Sequence, residues 1–251
     1  MTTRHAEDSH QYLEPLSSQR FFSRKDLHSI ILGSGIQLSE ASFKLRLQEL
    51  LSARKIVRVG RNAYCVPDDG LLSYHHSYTD LAKEIVGALS ENHPHIDFMM
   101  LELTQLNEFV NHLIANNTFF VSVDSSVSDF VFNTLRDVYP GKVMINPKLS
   151  MFHQYWTGDM IVIRNLVSEA PRDRKFPWGT KLEKLLVDIV SDPLIRCSVN
   201  SAEYPMILEE AFRRYVVDES CLLRYARRRN ADKKIRQLLE NETSIRLRTG
   251  D

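Results

Sequence analysis

Apolar residues between positions 21 and 67 recur first at helical and then at strand spacing. The pattern predicts one helix over 24–32 and a longer helix that starts after Ser39. Serine at positions 23 and 39 suits the N-cap of each helix, and the glycines after the first helix favour a turn. Alternating apolar residues then predict two short strands around a polar turn at 60–62. This order of elements predicts a winged helix-turn-helix, a module that commonly binds duplex DNA.

The second predicted helix of this module has an apolar face and a polar face. One face carries apolar residues at offsets of four, seven and eight, namely Phe43, Leu47, Leu50 and Leu51. Because these residues lie on one side of a helix, we expect them to pack in a core. The opposite face carries Ser42, Lys44, Leu45 and Gln48.

The charge of this region favours a nucleic-acid partner. Residues 20–66 contain nine basic and three acidic residues, a net charge of plus six, whereas the whole chain sums to zero. Such an excess neutralises phosphates, while specificity comes from side chains in a groove. We therefore predict DNA contacts by Arg24, Lys25, Ser42, Lys44, Gln48, Arg58, Arg61 and Asn62. The alternative is a protein-interaction adaptor in which these charges form a solvated face.

The periodicity of the remaining chain predicts an α+β fold with four parts. Residues 1–20 are an N-terminal extension, 21–67 the winged helix-turn-helix, 68–95 a connector, and 96–251 a mixed α/β domain with a C-terminal helical portion. In the last part we predict strands over 96–103, 118–123, 142–146 and 160–165. Helices are predicted over 80–89, 104–115, 125–139, 181–190, 201–216 and 219–240, the last with a break near Asn230.

Composition narrows the class of protein. A hydrophobic fraction of 43% and a charged fraction of 25% are ordinary for a globular protein and exclude an intrinsically disordered chain. The three cysteines are far apart, which excludes a disulfide scaffold and the paired spacing of a zinc site. The first residues lack the apolar run of a signal peptide, and no window reaches the length of a membrane span. We therefore expect a cytoplasmic protein without a membrane partner.

Four features together resemble one family of bacterial regulators. They are the winged helix with its aromatic last strand, the strand-helix-strand middle, TKLEKLLVDIV at Thr180–Val190, and LLRYARRR at Leu222–Arg229. Over most of the chain, this combination resembles the AbiEi-like antitoxins of type IV abortive-infection toxin-antitoxin systems. The resemblance implies a winged helix that binds operator DNA and represses its own operon. It also implies a C-terminal domain that counteracts a toxin of the nucleotidyltransferase class, and we expect this domain to bind the toxin or its target. We predict a degenerate nucleotidyltransferase-like fold for this domain and no cofactor. We expect the operator to be an inverted repeat occupied by two copies.

Acidic residues suggest a second hypothesis, a metal-dependent nucleotidyltransferase-like enzyme. Asp124, Asp129 and Glu183 are the residues that would bind the metal ion. The Gly-Ser pair that such enzymes place before two carboxylates is missing. Glu183 and Asp188 lie five positions apart, hence about 140° around a helix, and cannot form a close carboxylate pair. Their segment is therefore interpreted first as a core helix whose charges stabilise its ends or bind neighbouring arginines. We predict no catalytic or metal-binding residues.

Two further groups of side chains need a structural and a functional interpretation. The C-terminal arginines Arg224, Arg227 and Arg228 could form a cluster that binds phosphates or an acidic partner, or a solvated helix face. His75 and His76 adjoin tyrosines in a polar stretch and have no cysteine nearby. We expect both histidines at the surface. The histidines at 93 and 95 flank a proline and are expected in a solvated loop.

Overall fold

The computed structural model describes residues 12–19, 21–53, 55–60, 62–67, 72–173 and 175–247. Within these residues the protein consists of helices, one two-stranded sheet and one four-stranded sheet, and it is therefore an α+β protein. None of the helices in this part of the chain is both long and apolar enough to cross a membrane.

The chain divides into two compact units. Unit 1 comprises the described parts of Met1–Ser73, Phe212–Cys221 and Ile245–Asp251, and unit 2 comprises Tyr74–Ala211 and Leu222–Ser244. Unit 1 contains α1 (12–17), α2 (Arg24–Gly33), α3 (Glu40–Ser52), β1 (Val57–Gly60) and β2 (Ala63–Cys65). Unit 2 contains α4 (Asp80–Asn92), β3 (Phe98–Glu102), β4 (Thr118–Val123), α5 (Ser128–Val138), β5 (Val143–Ile145), α6 (Leu149–Tyr155), β6 (Met160–Asn165), α7 (Leu182–Ser191), α8 (Pro193–Arg196) and α11 (Asp232–Asn241). Helices α9 (Tyr204–Arg214) and α10 (Glu219–Arg228) have residues in both units.

Local capping explains where α2 begins and ends and where α3 begins. Ser23 and Asp26 form a reciprocal capping box at the start of α2. Gly35 has a φ of 82° and ends the turn after α2 in a conformation that favours glycine. The Ser39 side chain accepts a hydrogen bond from the backbone N–H of Ser42 at the start of α3. These contacts confirm the predicted helices and their serine caps.

The core of unit 1 combines α1, α2 and α3 with the hairpin. It consists of Tyr12, Leu13, Leu16, Phe22, Leu27, Ile31, Phe43, Leu47, Leu50, Ile56 and Tyr64. Helix α1 was not predicted from the sequence, although Tyr12 is almost fully buried. The Arg46 side chain ties this helix to α3, because its Nε donates a 2.9 Å hydrogen bond to the Tyr12 hydroxyl.

The hairpin of unit 1 is bonded to the segment that precedes α2. Strands β1 and β2 are antiparallel, as predicted. Phe22 forms an antiparallel bridge with Tyr64, in which each backbone N–H donates to the other residue's carbonyl at 2.8 and 2.9 Å. The hairpin therefore holds the start of α2 through backbone bonds as well as through the shared core.

The sheet of unit 2 has four strands in the order β3-β4-β6-β5. Strands β3 and β4 are antiparallel, whereas β4, β6 and β5 are parallel. Phe119, Val121 and Val123 of β4 pack against α4 and α5 on one face. Phe120 faces the other side, where the Arg164 guanidinium lies 4.5 Å from its ring centroid. Arg164 also contacts Asp188 of α7, so helices cover both faces of the sheet.

One predicted helix, over 104–115, is wrong. The chain forms a short 3-10 helix at Leu103–Glu108 and no helix after it as far as β4. The Asn107 side chain explains the change, because its Oδ1 accepts a hydrogen bond from the Ile114 N–H at 2.7 Å and its Nδ2 donates to the Ile114 carbonyl at 3.1 Å. An asparagine side chain thus takes the backbone partners that a continued helix would use.

Candidate nucleic-acid interface

Helix α3 presents the polar face that the sequence predicted. Phe43, Leu47 and Leu50 are buried in the core of unit 1, which fixes the rotation of the helix. The opposite side exposes the residues Ala41, Ser42, Lys44, Leu45, Gln48 and Glu49. This face mixes hydroxyl, amide, ammonium and aliphatic groups, all of which find partners in a DNA groove, with the carboxylate of Glu49, which pairs with Arg46.

Arg24 braces α2 against α3. Its guanidinium forms an ion pair with Glu40 at the start of α3 and lies 5.3 Å from the centroid of the Phe43 ring. The Arg24 charge is therefore partly neutralised within the protein, and its first role is to hold the two helices together. Lys25, the next residue along α2, is exposed.

The turn of the hairpin also contacts α2. Asn62 has a φ of 55°, and its Oδ1 accepts a 3.2 Å hydrogen bond from the backbone N–H of Arg24. This bond satisfies one of the free amides of the first helical turn. Arg58 of β1 is exposed, and Arg61 lies outside the described residues. The structure thus brings Arg24 and Asn62 together, while Ser42, Lys44 and Gln48 form a separate group on α3.

The described part of unit 2 contains a buried ionic cluster that the sequence revealed only in part. As predicted, α7 is a core helix whose charges bind arginines, and residues 182–190 are all buried. Lys184 donates to Asp188, and Asp188 also lies near the guanidinium of Arg164 at 3.8 Å and that of Arg229 at 3.4 Å. Asp192 pairs with the same two arginines. The cluster therefore joins β6, α7 and the end of α10.

For both Asp188 and Lys184, burial and the oppositely charged neighbours shift the pKa in opposite directions. Burial would raise the pKa of Asp188, but the charges of Lys184, Arg164 and Arg229 outweigh it and hold the pKa below its ordinary value. Burial lowers the pKa of Lys184, and Asp188 opposes that shift. The Tyr225 hydroxyl donates a 3.1 Å hydrogen bond to Asp188, and burial raises the pKa of this tyrosine. The signal in the sequence was the i, i+4 pair Lys184 and Asp188, whereas Arg164, Asp192 and Arg229 come from distant segments.

The carboxylates of the metal hypothesis are dispersed. Asp124 accepts hydrogen bonds from the backbone N–H and the hydroxyl of Ser126, and Asp129 is exposed in the first turn of α5. Glu183 is buried and pairs with Lys181 at 2.9 Å. No group of three or more His, Cys, Asp or Glu side chains among the described residues could hold a metal ion.

The predicted arginine cluster lies on the exposed side of α10. Arg224 and Arg228 both pair with Glu169, and both side chains are more than half exposed. Arg227 is also exposed. Arg229, which follows them in the sequence, points instead into the buried ionic cluster.

The prediction that both His75 and His76 lie at the surface is wrong for His76. Its Nε2 bonds to the carboxylate of Glu102, which is fully buried at the end of β3. The same carboxylate accepts hydrogen bonds from the Thr79 N–H at 3.1 Å, the Thr79 hydroxyl at 2.8 Å and the Asn117 amide at 3.1 Å. His75, in contrast, is exposed as predicted. The difference arises because only one of two adjacent side chains in an extended segment can face the sheet.

Comparison with known proteins gives a family and no established activity. None of the curated proteins compared with the chain matches it. The match to the crystal structure of the RV2827C protein from Mycobacterium tuberculosis covers 92% of this chain and 80% of the RV2827C chain. Its sequence identity is 11% and its TM-score is 0.26. A TM-score this low carries no conclusion about fold or function. The family of unknown function DUF6577 matches residues 42–245, most of the sequence. The chain therefore belongs to the DUF6577 family.

Proposed function

We propose that residues 21–67 form a winged helix-turn-helix that binds duplex DNA, and that the protein is a transcriptional regulator that represses its own operon. The observation that carries this proposal is the exposed face of α3, which offers Ser42, Lys44 and Gln48 on a helix whose other side is buried. Hydroxyl and amide groups suit base edges, and an ammonium group suits phosphate or guanine.

Rigid support of α3 adds to the proposal. A recognition helix is effective only if the elements around it hold its orientation. Here the Arg24–Glu40 ion pair joins α2 to α3, and the Phe22–Tyr64 bridge joins the hairpin to α2. The positive charge of residues 20–66 supplies the attraction to phosphates that non-specific binding requires.

Replacing Lys44 with alanine is expected to weaken DNA binding and to flatten its dependence on salt. Each lost phosphate contact lowers the number of released counterions, and the slope of log K against log salt falls by about 0.9 per contact. The measurement is a fluorescence-anisotropy titration of the full chain against its own upstream promoter duplex and a scrambled duplex at several salt concentrations. Arg61→Ala is expected to act in the same way.

Lys83→Ala is the matched control for this titration. Lys83 is an exposed lysine on α4 that pairs only at the surface with Asp80, so its loss removes the same charge from unit 2. Binding by this control is expected to equal that of the parent chain. Equal, weak binding of the promoter and scrambled duplexes by the parent chain would instead favour a protein-interaction adaptor.

The proposal extends to the counteraction of a nucleotidyltransferase-class toxin encoded beside this gene. The sequence resemblance supports it, and the exposed arginines of α10 provide cations for an acidic partner surface. Expression of the neighbouring toxin gene is expected to stop growth, and co-expression of this chain to restore it. The triple variant Arg224→Ala/Arg227→Ala/Arg228→Ala is expected to lose this rescue, whereas Lys44→Ala retains it. Rescue by the triple variant would rule out these arginines as the contact.

A further inference from the structure

Leu45 is an apolar side chain in the middle of the exposed face of α3. Its exposed fraction is 60%, the largest among the exposed large hydrophobic residues in the described part of unit 1, which are Phe21, Leu32, Leu45 and Leu72. The core positions Phe43, Leu47 and Leu50 of the same helix are buried, so the helix has no need of a further apolar residue on this side. The side chain gains from burial only when something outside this helix covers it.

The neighbours of Leu45 define what could cover it. Ser42 and Gln48 lie one turn before and one turn after it, each about 60° around the helix, so the three side chains form one continuous patch. Ala41, at i−4, and Glu49, at i+4, each lie about 40° from Leu45 and are exposed. The patch therefore has a small aliphatic centre, with a hydroxyl and the Arg46-paired carboxylate of Glu49 on one flank and a carboxamide on the other. Lys44 lies at its border, about 100° from Leu45.

The major groove of DNA offers one apolar group, the C5-methyl group of thymine. Glutamine forms paired hydrogen bonds with N6 and N7 of adenine in the same groove. A leucine and a glutamine one turn apart can thus contact a thymine methyl group and a nearby adenine. Cytosine and guanine present no methyl group at this position, so they leave Leu45 without an apolar partner.

On the basis of the proposed DNA-binding function, we infer that Leu45 is a specificity-determining residue that contacts a thymine methyl group. Gln48 contacts an adenine in the same or the adjacent base pair. The preferred duplex therefore contains an invariant thymine whose methyl group, rather than its hydrogen-bonding edge, is recognised.

The test begins with selection of the preferred duplex from a random library by the full chain. Each invariant thymine is then replaced by deoxyuridine, which removes the methyl group and leaves base pairing intact. We expect one position in each bound site to lose affinity by about threefold to tenfold, the effect of one buried methyl group. For Leu45→Ala the same replacement is expected to have no effect, because the contact is already lost.

Leu113→Ala is the matched control, since this leucine is 75% exposed and lies in unit 2. Its deoxyuridine response is expected to equal that of the parent chain. Selective binding by the parent chain that ignores every deoxyuridine replacement would overturn the inference and leave the DNA-binding function intact. Failure to select any duplex would instead overturn the proposed function. A change in oligomeric state for Leu45→Ala in sedimentation, with unchanged DNA binding, would assign this leucine to a protein interface and also overturn the inference.

Discussion

Replacing Asp188 with asparagine is expected to lower the free energy of unfolding by about 3–5 kcal/mol. The substitution leaves the shape of the side chain almost unchanged but removes its charge. Lys184 then loses its paired carboxylate, whereas Arg164 and Arg229 keep Asp192 as a counterion, and the side chains of Lys184 and Asp188 are only 4% and 1% exposed. A buried cation without its paired carboxylate is costly because the protein interior screens and solvates it poorly. Urea unfolding of the variant and the parent at pH 7, followed by circular dichroism, measures the difference.

Asp80→Asn provides the matched control for this prediction. Asp80 also pairs with a lysine on the same helix, but the aspartate and lysine side chains are 93% and 60% exposed. Exposed pairs contribute little, so this variant is expected to lose no more than about 0.5 kcal/mol. Equal stability losses in the two variants would show that burial of the cluster does not set its contribution.

Replacing Glu102 with alanine is expected to cost about 2–4 kcal/mol, from lost packing and from donors left without an acceptor. Three donor groups of Thr79 and Asn117 and the ring of His76 converge on this one carboxylate. Asn117 is itself buried, so its amide cannot turn to water. Thermal and urea unfolding of the full chain report the loss, and Glu108→Ala, at a half-buried site on the following 3-10 helix, serves as the comparison. A loss below about 1 kcal/mol would contradict the interpretation of Glu102 as the centre of this network.

The ionisation of Glu102 is expected to account for part of the loss of unfolding free energy at low pH. Burial would raise its pKa, but the hydrogen bonds from His76 and Thr79 outweigh burial and lower the pKa below its ordinary value. As pH falls, the unfolded chain therefore takes up this proton first, and the stabilisation is lost below about pH 4. The slope of unfolding free energy against pH in this range is expected to be smaller in Glu102→Gln than in the parent. An unchanged slope would place the acid sensitivity elsewhere, for example at Asp188.

Strong local signals made α2, α3 and the hairpin of unit 1 predictable from sequence. Ser23 and Ser39 cap their helices through bonds to residues three positions away, and the apolar face of α3 follows from spacing within one helix. Helix α1 escaped prediction because it is short, and its burial depends on residues such as Phe43 that lie far along the chain. The polar face of α3 was predictable for the same reason as its apolar face.

The parts of unit 2 that escaped prediction depend on long-range contacts. The helix predicted over 104–115 fails because Asn107 bonds to Ile114, a choice that helical spacing does not reveal. Helix α6 has one buried residue, Phe152, and therefore almost no periodic signal. Arg164 and Arg229 reach Asp188 from other elements, so only the tertiary fold identifies the ionic cluster. His76 differs from His75 through Glu102, which is 26 residues away.

Unit 1 is assembled from segments that the ribosome makes at different times. Leu72 pairs with the segment that follows α9, since its N–H donates to the Arg214 carbonyl and its carbonyl accepts from the Val216 N–H, both at 2.9 Å. During synthesis, α2, α3 and the hairpin emerge long before this segment does. Nearly all of unit 2 is therefore synthesised before the segment that pairs with Leu72 becomes available to unit 1. A fragment that stops at Ser73 lacks that partner altogether, so separate expression of unit 1 calls for a fused copy of Phe212–Cys221.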